Sequence, residues 1–295
     1  MKSKIHLLIL ILIAGLAIYV YQPSSSFETL VADSENLLNK SINVANKAAR
    51  STKKPATEAK PRANSKRKIE LPGKMQRVPE RIIEHTAYTL SFNREHNNPN
   101  WVAWELTNEE ADGKLTRVDN FQPDPQLPEN HQVKHADYKK SGYDRGHMAP
   151  AADMKWDSHA MNECFYMSNI CPQTHTLNAG VWETLESACR RWAKREGSVY
   201  IVCGPVYKKK KQKSIGQDLK ITIPDGFFKV VLSLREGHEK AIGFYFDNNE
   251  SKQTMNKAAT TVDEIESLTG IDFYVNINDH LEEKLESDYS LKAWQ

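Results

Sequence analysis

Residues Ser141 to Arg195 read SGYDRGHMAPAADMKWDSHAMNECFYMSNICPQTHTLNAGVWETLESACRRWAKR, and this stretch decides both the fold and the chemistry. Three polar clusters punctuate it: Asp144-Arg145-Gly146-His147, then Ser168-Asn169-Ile170-Cys171-Pro172-Gln173, then Asn178 with Glu186 eight residues beyond. A neutral imidazole accepts a proton near pH 7, and a guanidinium holds a phosphate oxygen through two N–H donors. A histidine beside an arginine in a glycine-containing turn therefore suits the activation of water next to a phosphate. Four residues recur by chance and most histidines are structural, so the tetrapeptide alone decides little.

The downstream residues add weight. Leu177 to Arg195 predicts one helix, with Val181, Leu185, Ala188 and Trp192 at helical spacing and Gly197 past its end. Asn178 then lies in the first turn and Glu186 two turns on, roughly 12 Å along the axis at 1.5 Å per residue. Both face broadly one side, yet they are too far apart for one metal's inner shell. An asparagine carbonyl as sole protein ligand leaves a hard cation holding mostly water, which suits Mg²⁺ better than Zn²⁺. Glu186 is expected to accept hydrogen bonds from that water.

In this order the three clusters resemble the DNA/RNA non-specific endonucleases, the ββα-metal (His-Me finger) group. The pattern of that family is an Asp-Arg-Gly-His box, a Ser-Asn-Ile-x-Pro-Gln segment, then Leu-Asn and a glutamate eight residues further on. All stand here, as Asp144 to His147, Ser168 to Gln173, Leu177-Asn178 and Glu186. The resemblance runs from about Arg77 to Leu285 and includes an arginine–proline segment, Arg117 to Pro125. It implies an α+β fold, a ββα-metal nuclease built around a mostly antiparallel sheet, and metal-dependent hydrolysis of phosphodiester bonds in DNA and RNA. Mg²⁺ is the implied ion, with Mn²⁺ as a substitute. His147 is then the general base and Asn178 the metal ligand, while Arg145 and Arg117 hold the phosphate. Asn169 braces His147 or the phosphate, Glu186 orients water around the metal, and Asp144 shapes the turn. The product should carry a 5′ phosphate. A phosphodiesterase of related fold acting on other substrates, and a catalytically silent nucleic-acid-binding module, stay open as alternatives.

Outward from this stretch the chain is uneven in charge. Residues 40–74 hold eleven Lys and Arg against two Glu, for +9, and residues 1–39 carry −1. Of the overall +2, residues 75–295 are left with −6. Nucleic-acid binding by an acidic body must rest on a local basic groove, with help from the basic segment. Lys2 and Lys4 precede an apolar run over residues 5–21, and no small-x-small cleavage site comes after it. An uncleaved signal anchor over residues 1–23 is preferred to a cleaved signal peptide. The lysines lie before the run, and Glu28, Asp33 and Glu35 after it. That order predicts an extracytoplasmic body, in the periplasm or at the cell surface, anchored to the membrane or secreted. Residues 24–74 read as a basic linker with too few apolar residues to bury a core. Residues 75–295 read as the nuclease domain, as a monomer or a homodimer.

Within that domain, Thr86–Phe92, Trp101–Thr107, Ser198–Tyr207, Gly226–Leu234 and Lys240–Phe246 are predicted strands, and Thr261–Leu268 a late helix. Asp144 to His147 is expected to end a strand. The four cysteines, Cys164, Cys171, Cys189 and Cys203, read as buried free thiols, although an even count outside the cytoplasm permits disulfides.

Overall fold

The computed structural model describes residues 68–217 and 219–295. The expected anchor over 5–21 and the basic linker up to residue 67 lie outside the described residues. Seven strands form one sheet in the order β1-β2-β3-β6-β9-β10-β11: Arg81–Glu84, Thr89–Asn93, Asn98–Thr107, Ser198–Val206, Gly226–Ser233, Lys240–Asp247 and Ala259–Thr260. Every pairing in it is antiparallel. The mixed α+β class and the mostly antiparallel sheet therefore stand as the sequence implied. Two small hairpins complete the strands, β4 (Asp144–His147) with β5 (Ile170–Gln173), and β7 (Ser214–Ile215) with β8 (Ile221–Thr222).

The blurred alternation of the central strands has a physical cause, since both faces of the sheet are covered. On β9, Phe227 and Val231 enter a first core with Trp104, Ile201, Trp182, Leu185 and Trp192. Phe228, Val230 and Leu232 enter a second core on the other face, with Val262, Ile265 and Phe273. Helices cover both faces: α1 (Glu183–Glu196) lies on the first, and α2 (Val262–Thr269) and α3 (Asp279–Glu286) lie on the second. Thr261 caps α2 by accepting from the Glu264 N–H, and Gly270 closes it in the left-handed conformation. Ile69, Leu71 and Met75 pack onto the second core.

Two local expectations are corrected. The strand placed at Thr86–Phe92 starts only at Thr89, and Arg81–Glu84 adds an edge strand whose charged ends and exposed Ile82 hide it from pattern reading. The single straight helix from Leu177 is instead a π-helical segment, Leu177–Trp182, running into α1. Gly180 breaks the α pattern there, with φ −112° and ψ −112°. The two-turn spacing of Asn178 and Glu186 drawn from an ideal helix is therefore lost.

Candidate functional site

The β4–β5 hairpin carries the first two clusters side by side, with Asp144 opposite Gln173, Arg145 opposite Pro172 and His147 opposite Ile170. Glycine at position 146 lets the buried Gln173 side chain lie against the strand, because a Cβ there would lie 2.0 Å from the Gln173 Oε1 and force that side chain to move. His147 comes next with its ring against two aromatics that also touch each other, 5.0 Å from Phe165 and 5.4 Å from Phe121. The arginines lie on the same pair of rings, Arg145 over Phe121 at 4.5 Å and Arg117 over Phe165 at 5.1 Å. The structure thus gathers His147, Arg145 and Arg117 around one aromatic pair, although 30 residues of chain separate Arg117 from His147.

His147 is 8 % exposed, and its Nε2 has no hydrogen-bond partner among the described residues. Burial, reinforced by the positive charges of Arg117 and Arg145 and opposed by Asp119, lowers its pKa to about 3. The imidazole is therefore neutral throughout the physiological range. Arg145 donates through Nη1 to His135 Nε2 at 2.8 Å, and Arg117 donates through Nε to Asp119 at 2.7 Å.

The middle cluster is a brace. Asn169 is fully buried; its Oδ1 accepts from Ala149 N, and its Nδ2 donates to the carbonyls of Ala149 and Cys164. Both amide hydrogens and the amide oxygen are spent on backbone, at Ala149 just past His147 and at Cys164, so the side chain fixes that backbone and is closed to a phosphate. Ser168 donates to Asp124 at 2.5 Å, and His85 contacts the same carboxylate at 3.1 Å. Burial alone would raise the Asp124 pKa, but these hydrogen bonds hold it below the ordinary value. That carboxylate ties down the segment bearing Arg117, which Gln122 also stitches to Phe165 and Met167 through backbone bonds.

Asn178 sits in the π-helical segment, half-buried, and donates through Nδ2 to Asp144 Oδ2 at 2.9 Å. His175 shares that carboxylate at 2.9 Å. With its amide nitrogen engaged, Asn178 is left with an Oδ1 that carries no hydrogen bond among the described residues. A hard cation fits such a donor, with the Asp144 carboxylate fixing the amide's orientation. Trp182 anchors this segment to β4 by donating its indole N–H to the His147 carbonyl at 3.3 Å.

Glu186 lies in a pocket of charges that sequence reading missed. Burial raises its pKa to about 7; Lys229 and Arg190 pull it down, and Asp153 and Glu183 push it up. Arg190 donates to Asp153 at 2.9 Å and to Ser187 at 2.8 Å. The four-residue step from Glu186 to Arg190 on one helix was a visible signal for this partner. Nothing local marked Lys229 or Asp153. The four cysteines are free and buried, as expected.

A family model described as DNA/RNA non-specific endonuclease matches residues 66–280. "Nuclease 1, mitochondrial" of Schizosaccharomyces pombe is 34 % identical over 218 residues, covering 68 % of this chain and 67 % of that protein. "Nuclease EXOG, mitochondrial" of Danio rerio is 39 % identical over 178 residues, covering 56 % of this chain and 52 % of its own, so the match spans about half of that relative. A solved structure, "Crystal structure of the EndoG/EndoGI complex: Mechanism of EndoG inhibition", superposes with a TM-score of 0.64 at 28 % identity, over 68 % of this chain and 88 % of that one. These relatives overturn the extracytoplasmic placement, since both yeast and zebrafish proteins are named as mitochondrial nucleases. Among the described residues, no helix is long and apolar enough to cross a membrane. A short apolar run behind two lysines is common to several kinds of targeting segment, so by itself it does not fix the compartment.

Proposed function

The chain belongs to the DNA/RNA non-specific endonuclease family and is an endonuclease, and from that premise we propose that it hydrolyses phosphodiester bonds in both DNA and RNA with His147 as general base. The observation that carries this reading is the Nε2 of a neutral His147, unpartnered among the described residues, beside two aromatic rings that each carry an arginine. That nitrogen takes the proton from water as the water attacks phosphorus in line. Because the nucleophile is external water, the 2′-OH of RNA is not needed, and both sugars are accepted.

Arg145 and Arg117 grip the scissile phosphate. Each already rests its guanidinium on a ring, so little side-chain freedom is lost when the phosphate arrives. Asn169 holds the backbone behind His147, and Asp144 orients the Asn178 amide. Asn178 Oδ1 is the protein ligand for a divalent cation, for which Mg²⁺ is the fitting choice. When bound there, such an ion would supply charge stabilisation for the phosphate and the 3′ leaving oxygen, and the product would carry a 5′ phosphate. Glu186 accepts hydrogen bonds from water near that ion and so aligns it.

Nicking of supercoiled plasmid, with and without EDTA and with His147→Ala alongside, tests this. Mg²⁺-dependent nicking that the variant loses is the expected result. Undiminished nicking by His147→Ala would refute the base assignment, and nicking that survives EDTA would refute the metal.

A further inference from the structure

On the sheet face that carries the site, β9 presents Phe227, Lys229 and Val231 in alternation. A central strand covered on both faces calls for a hydrophobe at each of these places. The chain instead puts a lysine there, 0 % exposed, whose Nζ finds no oxygen acceptor among the described residues. The ammonium rests over two indoles, 4.5 Å from the centroid of Trp182 and 5.2 Å from that of Trp104. A cation–π cradle offsets part of the cost of leaving water, but an apolar side chain of the same length would incur no such cost. Stability therefore does not account for the charge.

One indole leads to the backbone of His147 and the other to the Asp153 carboxylate. Trp182 donates to the His147 carbonyl at 3.3 Å, and Trp104 donates to Asp153 Oδ2 at 3.2 Å. The charged and titratable groups around Lys229 are Glu186 and Cys189 on α1, Asp153 in the turn after β4, and Cys203 on β6. Around Glu186 they are Lys229, Asp153, Arg190 and Glu183. Arg190 is committed to Asp153 by a hydrogen bond, which leaves Glu186 without any hydrogen bond of its own among the described residues. Glu183 is exposed to water; the two carboxylates that remain, Glu186 and Asp153, are balanced by two cations only while Lys229 is there.

We propose that Lys229 is a positioning residue for the hydrolysis: its buried ammonium, cradled by Trp104 and Trp182, is the counter-charge that holds Glu186 as an oriented carboxylate beside the Asn178 segment. The proposal rests on the nuclease chemistry assigned above. Without the ammonium, two carboxylates compete for one guanidinium, and Glu186 takes up a proton or swings to Arg190. Either way it stops accepting from water at the site, while His147, Arg145 and Arg117 stay where they are.

The test compares full-length wild type with Lys229→Met, Lys229→Gln and Lys229→Arg. Plasmid cleavage in Mg²⁺ is followed from pH 5 to 9, together with DNA affinity and thermal unfolding. Lys229→Met should keep its melting temperature and DNA affinity, lose about 10–100-fold in kcat, and show an acid limb displaced to higher pH. Lys229→Arg should return that limb toward wild type. In a Glu186→Gln background, Lys229→Met should cost nothing more. Unchanged kcat and pH profile in Lys229→Met would overturn the proposal, as would activity lost only in step with melting temperature. If Lys229→Met fails to fold, Lys229→Gln is judged on the same measures; failure of both to fold makes the lysine a structural residue and also overturns it. An inactive wild type, or a fully active His147→Ala, sinks the nuclease chemistry itself. An active, His147-dependent wild type with an indifferent Lys229→Met sinks only this inference.

Discussion

Two clusters of charge lie on opposite faces of the sheet and are built in opposite ways. On the first face, Asp153 and Glu186 are matched by Arg190 and Lys229. On the second, Asp263 and Glu266 of α2 meet Glu286 of α3 with their carboxylate oxygens within 4.8 Å of one another. Every charge that acts on Glu286 is another acid: Glu266, Glu282, Asp263 and Asp272. Burial and this repulsion push Glu286 up to about 9, and mainly burial raises Glu266 to about 7. A buried carboxyl can be accommodated by a counter-ion or by a proton. On the first face Lys229 and Arg190 oppose the effect of burial on Glu186 and Asp153, although both acids still lie above the ordinary carboxylate value. On the second face no cation acts on Glu286, which stays protonated at neutral pH.

The largest expected effect tests whether chemistry is confined to the first face. His147→Ala should lower kcat by about 100- to 10,000-fold, whereas Glu286→Gln should leave kcat at the wild-type value in the same assay. A comparable loss in Glu286→Gln would erase the distinction. Next in size is the buried pair. Arg190→Met strands Asp153, only 1 % exposed at its side chain, and should cost about 3–5 kcal/mol of stability in denaturant titration. A cost below about 1 kcal/mol would show that Lys229 alone can balance Asp153.

Smaller, but more specific, is the pH profile. His147 is neutral above about 3, so it sets no limb in the working range. Glu186, raised to about 7, must be ionised to accept from water, so activity should rise as pH passes through neutrality. Glu186→Gln should flatten that limb while lowering the plateau; a limb that survives would assign it elsewhere. The smallest effect belongs to the second face. A carboxyl whose folded pKa is raised keeps a proton that the unfolded chain gives up. For Glu286 stability therefore falls as pH rises from the ordinary carboxylate value toward about 9, and levels off above it. Glu286→Gln should melt about 2–4 °C higher than wild type at pH 9, with no gain at pH 4. A gain at both pH values would trace the effect to packing.

What could be read from the sequence was what lies close together along it. His147 and Arg145 share a tetrapeptide, Asn178 and Glu186 lie eight residues apart, and Thr261 announces its helix by capping it. Arg117 was found only because its proline-rich segment matched a family pattern, since no local rule distinguishes it from a surface arginine. Lys229 could not be found that way. It sits 43 residues from Glu186 in a strand that is otherwise hydrophobic from Phe227 to Leu232, and its meaning comes from Trp104 and Trp182. The π-helical segment was missed for a related reason: apolar spacing from Val181 onward obeys the α period, and one glycine with an unusual ψ shifts only the turn before it. Asn169 illustrates a third case, in which the residue was seen but its job was set by partners at Ala149 and Cys164.

The four thiols give the molecule a built-in clock for its own opening. Cys164, Cys171, Cys189 and Cys203 are each no more than 1 % exposed, and burial pushes Cys164, Cys189 and Cys203 up to about 12. A thiol in that condition hardly reacts with an alkylating agent until the surrounding structure parts. Cys189 and Cys203 flank the Lys229 pocket, while Cys171 lies in the β4–β5 hairpin. Mass-resolved alkylation over time therefore reads, residue by residue, whether the sheet face and the catalytic hairpin breathe together or come apart separately.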